Sequence, residues 1–117
     1  MKIIRTNITD IDKNKKIFYK LCKAAGQNVK DVEGTYAVSS WAIYQEENAK
    51  GEINEVLSIL VFDAAGVPSK IQTISKTFMH DFLEIVELMG EDDFAIDIVH
   101  GQTKAGRDFV SCELNCD

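Results

Sequence analysis

No run of eighteen apolar residues occurs in this chain, so a transmembrane helix is not expected. The N-terminus, M-K-I-I-R-T-N, lacks the long apolar region and small-residue cleavage site of a secretion signal. A soluble cytoplasmic protein is therefore the expectation. Proline is almost absent: Pro68 is the only one, and it stands with Gly66 in A-A-G-V-P, which reads as a turn. The three cysteines, Cys22, Cys112 and Cys116, are odd in number and point to reduced thiols rather than a disulfide framework. No internal repeat, low-complexity tract or interdomain linker interrupts the 117 residues, which make one domain.

Catalytic signatures are missing as well. Gly101, Gly106 and Arg107 imitate the spacing of a phosphate loop, but that motif needs Lys then Ser or Thr and a following helix, and here Arg107 and Asp108 lead into a strand. Cys22, Cys112, Cys116, His80 and His100 contain no second close pair of the kind a structural zinc site uses. Glu91, Asp92 and Asp93 read as a solvated turn rather than a cation site. With no paired carboxylates, triad order or glycine-rich fingerprint, no enzyme, cofactor or metal is expected.

What the chain does have is an uneven charge. Its net charge is −6, yet residues 1–35 hold eight basic against four acidic residues, and the remainder five against fifteen. An excess of one sign at one end hints at a charged partner, and equally at a solvated basic helix packed on an acidic body.

Periodicity divides the chain into elements. After Ile3 and Ile4, the stretch T-D-I-D-K-N-K-K-I-F-Y-K-L-C-K-A-A-G predicts a lysine-rich helix, capped by Thr9 or Asp10 and closed by Gly26. Its apolar stripe is Ile17, Leu21 and Ala24, or Phe18, Leu21 and Cys22. Q-N-V-K-D-V-E-G is a connector with Val29 and Val32 pinned to the body. Strands are expected at Thr35–Gln45, Ile53–Asp63 and Lys70–Ser75, then at Phe94–His100 and along D-F-V-S-C-E-L. Between the third and fourth lies the strongest helix, Ser75–Gly90, whose Phe78, Phe82, Ile85, Val86 and Met89 recur at spacings of three and four.

Strand, strand, strand, helix, strand, strand is the order of an OB-fold, a five-stranded Greek-key barrel that binds oligonucleotides and oligosaccharides. The expectation is a mainly β protein, residues 35–115 forming the barrel and residues 1–34 a basic helical extension. Nucleic acid on such a barrel crosses strands two and three, between the first and last hairpin loops. The basic residues at those places are Lys50, Lys70, Lys104 and Arg107, with Lys76 marginal. Single strands also need rings on which bases stack. Tyr36, Trp41, Tyr44, Phe62 and Phe109 are the candidates, of which Phe62 and Phe109 read rather as core. Asp81, Glu84 and Glu87 make the outer side of the second helix acidic, so a strand is expected on the opposite side, between the Lys50 loop and the Lys104–Arg107 hairpin.

The stretches K-K-I-F-Y-K-L, V-K-D-V-E-G-T, E-V-L-S-I-L, S-K-T-F-M-H-D-F and T-K-A-G-R-D-F-V-S-C-E-L resemble the small single-stranded DNA-binding proteins of phages and prophages of Gram-positive bacteria. The resemblance runs from about Lys15 to Leu114. It implies an OB-like barrel that coats single-stranded DNA in replication or recombination without catalysis, with Lys104 and Arg107 as hairpin contacts and Trp41 as a stacking ring. Replication or recombination proteins and a second copy of the chain are further partners to consider. Bacterial single-strand binding proteins end in an acidic tail with a hydrophobic tip, whereas this chain stops at C-E-L-N-C-D, so recruitment through such a tail is not expected. The rival reading, from the acidic body, is a protein-binding module or a phage-encoded inhibitor of a host nucleic-acid enzyme.

Overall fold

The computed structural model describes residues 2–117. Its strands are β1 (Lys2–Thr6), β2 (Gln27–Asn28), β3 (Gly34–Glu47), β4 (Ile53–Phe62), β5 (Pro68–Thr73), β6 (Ala95–Gln102) and β7 (Asp108–Leu114). The helices are α1 (Lys15–Cys22) and α2 (Lys76–Met89). All seven strands form one sheet in the order β2-β5-β4-β3-β6-β7, with β1 beside β3. The five expected strands are present, but a five-stranded barrel is not: two further strands join, and the sheet curls without closing, because β7 pairs with β6 alone. Residues 2–34 are correspondingly no mere helical extension, since β1 pairs with β3 and β2 runs parallel to β5.

The bend in β3 explains the curl. Its pairing with β4 slips by one residue between Val38 and Ser40, a bulge that sharpens local twist. Before the bulge β3 pairs with β6, Gly34 opposite Ile98; beyond it the same edge pairs with β1, Ala42 opposite Thr6. A change of partner leaves backbone groups without a ladder, and such groups must be paired when buried. Asn7 supplies the pairing, donating from Nδ2 to the Ser39 carbonyl at 3.2 Å and accepting the Trp41 N–H on Oδ1 at 3.0 Å.

Each face of the central strands has its own cover. Inside the curl, α2 inserts Phe78, Phe82 and Ile85 against Trp41, Ile43, Leu57, Ile59 and Ile71. The helix starts where Ser75 Oγ accepts the Phe78 N–H at 3.2 Å, and ends at Gly90, whose φ is +60° and whose N–H reaches the Val86 carbonyl at 3.0 Å. Outside the curl, α1 lays Phe18, Leu21 and Cys22 on Ala42, Tyr44 and Val56. Of the two stripes open to α1, the structure uses Phe18, Leu21 and Cys22, and the helix stops before Gly26, with the Lys23 N–H bonded to the Tyr19 carbonyl.

The gap between β5 and β7 is filled by the connector. Val29 and Val32 are buried in the inner core, and His100 Nε2 donates to the Val32 carbonyl at 2.7 Å, tying the connector to β6. No helix of the described residues is long and apolar enough to cross a membrane.

Candidate nucleic-acid interface

Two of the three expected stacking rings lie in the core. Trp41 is 2% exposed and Tyr44 3%. Successive residues of β3 point to opposite faces, and both faces are covered, so Trp41 meets α2 and Tyr44 meets α1. Burial pushes the Tyr44 hydroxyl up to about 12, with Glu46 and Cys22 adding to the shift, and keeps it neutral. Tyr36 is half-buried against the inner core. The rings read as core, Phe62 and Phe109, are instead 42% and 41% exposed.

The expected cations divide likewise. Lys70 is a correction: it is 7% exposed, its stem passes Gly26, and its Nζ donates to the Ala24 carbonyl at 2.6 Å. Lys50 is exposed, but its turn is pinned by Asn48 among Glu46, Glu47 and Glu52, a poor place for a phosphate. Lys104 and Arg107 are exposed on the β6–β7 loop and form no ion pair among the described residues. The hairpin registers put Lys50 at the C-terminal end of β3 and the Lys104–Arg107 loop beyond its N-terminal end. The outer face of β3 and β4 between them is where α1 sits, so the expected path across it is blocked.

An open cleft of about 640 Å³ lies between the β6–β7 hairpin, the connector and the start of α2. Phe109 lies in it, opposite Gly101 in the ladder; a Cβ at Gly101 would sit 2.5 Å from the ring tip, so the ring rests on bare backbone. Lys30 lines the cleft, as do Ser75 and Thr77 at the N-terminus of α2, the positive end of that helix. Asp31 and Asp108 are its acidic members, Asp108 being held by Gln102 Nε2 at 2.9 Å. The neighbouring loop is stapled by Thr103, which accepts the Arg107 N–H on Oγ1 at 3.2 Å and bonds the Arg107 carbonyl at 2.8 Å. Lys104 and Arg107 therefore project from a fixed turn. The sequence offers Phe109 among the candidate rings but weights it toward core, and does not single out Lys30; the readable sign is a glycine facing an aromatic residue across a hairpin.

The cysteines and histidines do not assemble. Cys22 and Cys112 are buried in opposite cores, and Cys116 is exposed. Among the described residues the one metal-type group is His80, Asp81 and Glu84 on the outside of α2, where Asp81 also accepts from Ser111 Oγ.

Comparison with protein-family models, with curated proteins and with solved structures returns no match.

Proposed function

We propose that this chain is a sequence-tolerant, non-enzymatic single-stranded DNA-binding protein acting in DNA replication or recombination in the cytoplasm, on an OB-fold enlarged by β1, α1 and β2. Support for the fold comes from the order β3-β4-β5-α2-β6-β7 and from β3 pairing with both β4 and β6. The observation that carries the function is the half-exposed Phe109 ring in a cleft with Lys30, beside the unpaired Lys104 and Arg107. A flat ring binds any base by stacking, and the cations hold the phosphates on either side.

The site differs from the one expected on the outer sheet face: Trp41, Tyr44 and Lys70 drop out, and Phe109 and Lys30 enter. Reversing both hairpin charges, Lys104→Glu with Arg107→Glu, tests it. Binding of labelled oligothymidine, read by fluorescence anisotropy, should fall while the thermal unfolding midpoint stays put. Unchanged affinity would move the site away from this cleft. The protein-binding reading has its own support in a separate groove on the α1 side.

A further inference from the structure

Between α1 and strands β4 and β5 runs a groove of about 450 Å³, walled by Ile17, Leu60, Phe62 and Pro68. Lys70 lines it, together with Ala24, whose carbonyl takes the Lys70 ammonium. An ammonium has three N–H donors. Here one protein acceptor is found, and among the described residues no carboxylate lies within ion-pair distance of it. A buried charge without a counter-ion is costly and is ordinarily paired. Burial accordingly pushes the Lys70 pKa down, against the opposing pull of Cys22 and Glu46.

A second cation, Lys20, stands on the rim of the groove. Lys16, one turn before it on α1, and Lys23, the residue that caps the C-terminus of the helix, add positive charge to the same helix. All three are exposed and, among the described residues, unpaired, whereas Lys13 has Asp10 at 3.9 Å. From this juxtaposition we infer that the groove is a docking site for an acidic peptide segment bearing a large apolar side chain. The apolar side chain fills the space against Leu60, Phe62 and Pro68, and carboxylates meet Lys70 and the α1 lysines. Phe62 is the only ring on the walls, so the groove offers no run of stacking surfaces for successive bases; a small acid would leave Lys16 and Lys23 unused.

The probe is a fluorescein-labelled peptide of six aspartates ending in phenylalanine, with a serine-ended control, titrated with the intact protein. Binding to the phenylalanine peptide is expected, with affinity falling about tenfold or more in Lys70→Met and in Lys20→Glu. The serine control should bind more weakly than the phenylalanine peptide. Lys70→Met keeps the apolar stem and deletes the uncompensated charge together with its one hydrogen bond, to the Ala24 carbonyl; relief of the buried charge outweighs that bond, so its unfolding midpoint should be equal or higher. The inference is overturned by absence of peptide binding, by unchanged affinity in Lys70→Met, or by loss of the fold in that variant, which would make the ammonium a structural prop. Displacement of the peptide by oligothymidine at the concentrations that saturate the protein would also overturn it, assigning the groove to nucleic acid.

Discussion

The indole of Trp41 meets the ring of Phe82 edge-on, with centroids 5.6 Å apart and planes at 82°. An edge-to-face pair adds about 0.5–1.5 kcal/mol to the area that both rings bury. Arg5 also lies over the indole, its guanidinium carbon 5.9 Å from the ring centroid. The contact joins α2 to the middle of β3, where the strand has just changed partners, so it holds the helix inside the curl.

Phe82→Ala should therefore cost about 3–5 kcal/mol, as expected for a buried aromatic truncated in a packed core. Urea unfolding followed by Trp41 emission measures this directly. The same burial makes Trp41 a reporter of the fold rather than of a ligand: oligothymidine should leave its emission unchanged. Quenching at saturation would mean that the core opens on binding.

Gly101→Ala tests the platform under Phe109. The added methyl group must push aside a ring that is 41% exposed and free to swing outward, so the protein should stay folded. Its affinity for oligothymidine should fall as in Phe109→Leu, by about 1–3 kcal/mol for one lost stacking contact. Anisotropy titrations of the two variants make the comparison.

The thiols should divide by burial. Burial, with Asp81 and Glu113 adding negative charge, pushes Cys112 up to about 12, and burial also raises Cys22, whereas Cys116 is exposed. An aromatic disulfide reagent at neutral pH should titrate one thiol in the native protein and all three cysteines in denaturant. Cys112 stays protonated in the folded chain, while its unfolded thiol ionises above 9.0. Its contribution to stability is thus complete below pH 9.0 and is lost as pH rises toward about 12.

Acid acts through Asp97. The Thr35 hydroxyl and the Asn115 amide both donate to its carboxylate and hold its pKa below the ordinary 3.8, joining β3, β6 and the residues after β7. A depressed folded value gives stability that is present above pH 3.8 and lost as pH falls through the lower folded value. In Asp97→Asn this part of the acid sensitivity should vanish, measured as the shift of urea midpoints between about pH 5 and about pH 3.

Element types were legible where the pattern is local. The spacing Phe78, Phe82, Ile85 and the caps Ser75 and Gly90 fix α2 without reference to anything distant, and V-L-S-I-L-V-F announces a strand covered on both faces. What a side chain faces was less readable, because it depends on which element arrives from elsewhere. Trp41 and Tyr44 have the amphipathic look of binding rings, but α2 and α1 take one each. Lys70 reads as a surface cation until Ala24 and Gly26 close over it. Phe109 reads as core because nothing local shows that β7 is left at an open edge. β1 and β2 were hidden for a different reason: five- and two-residue strands at the margin carry too few apolar positions to show a period.

The most direct measurement is an anisotropy titration of labelled oligothymidine with the unmodified protein over a series of salt concentrations. Contacts from Lys30, Lys104 and Arg107 predict tight binding at low salt that weakens with a log–log slope of about −2, near 0.7 per phosphate neutralised on a single strand. Absence of binding at low salt, or binding indifferent to salt, would contradict the proposal that this protein binds single-stranded DNA.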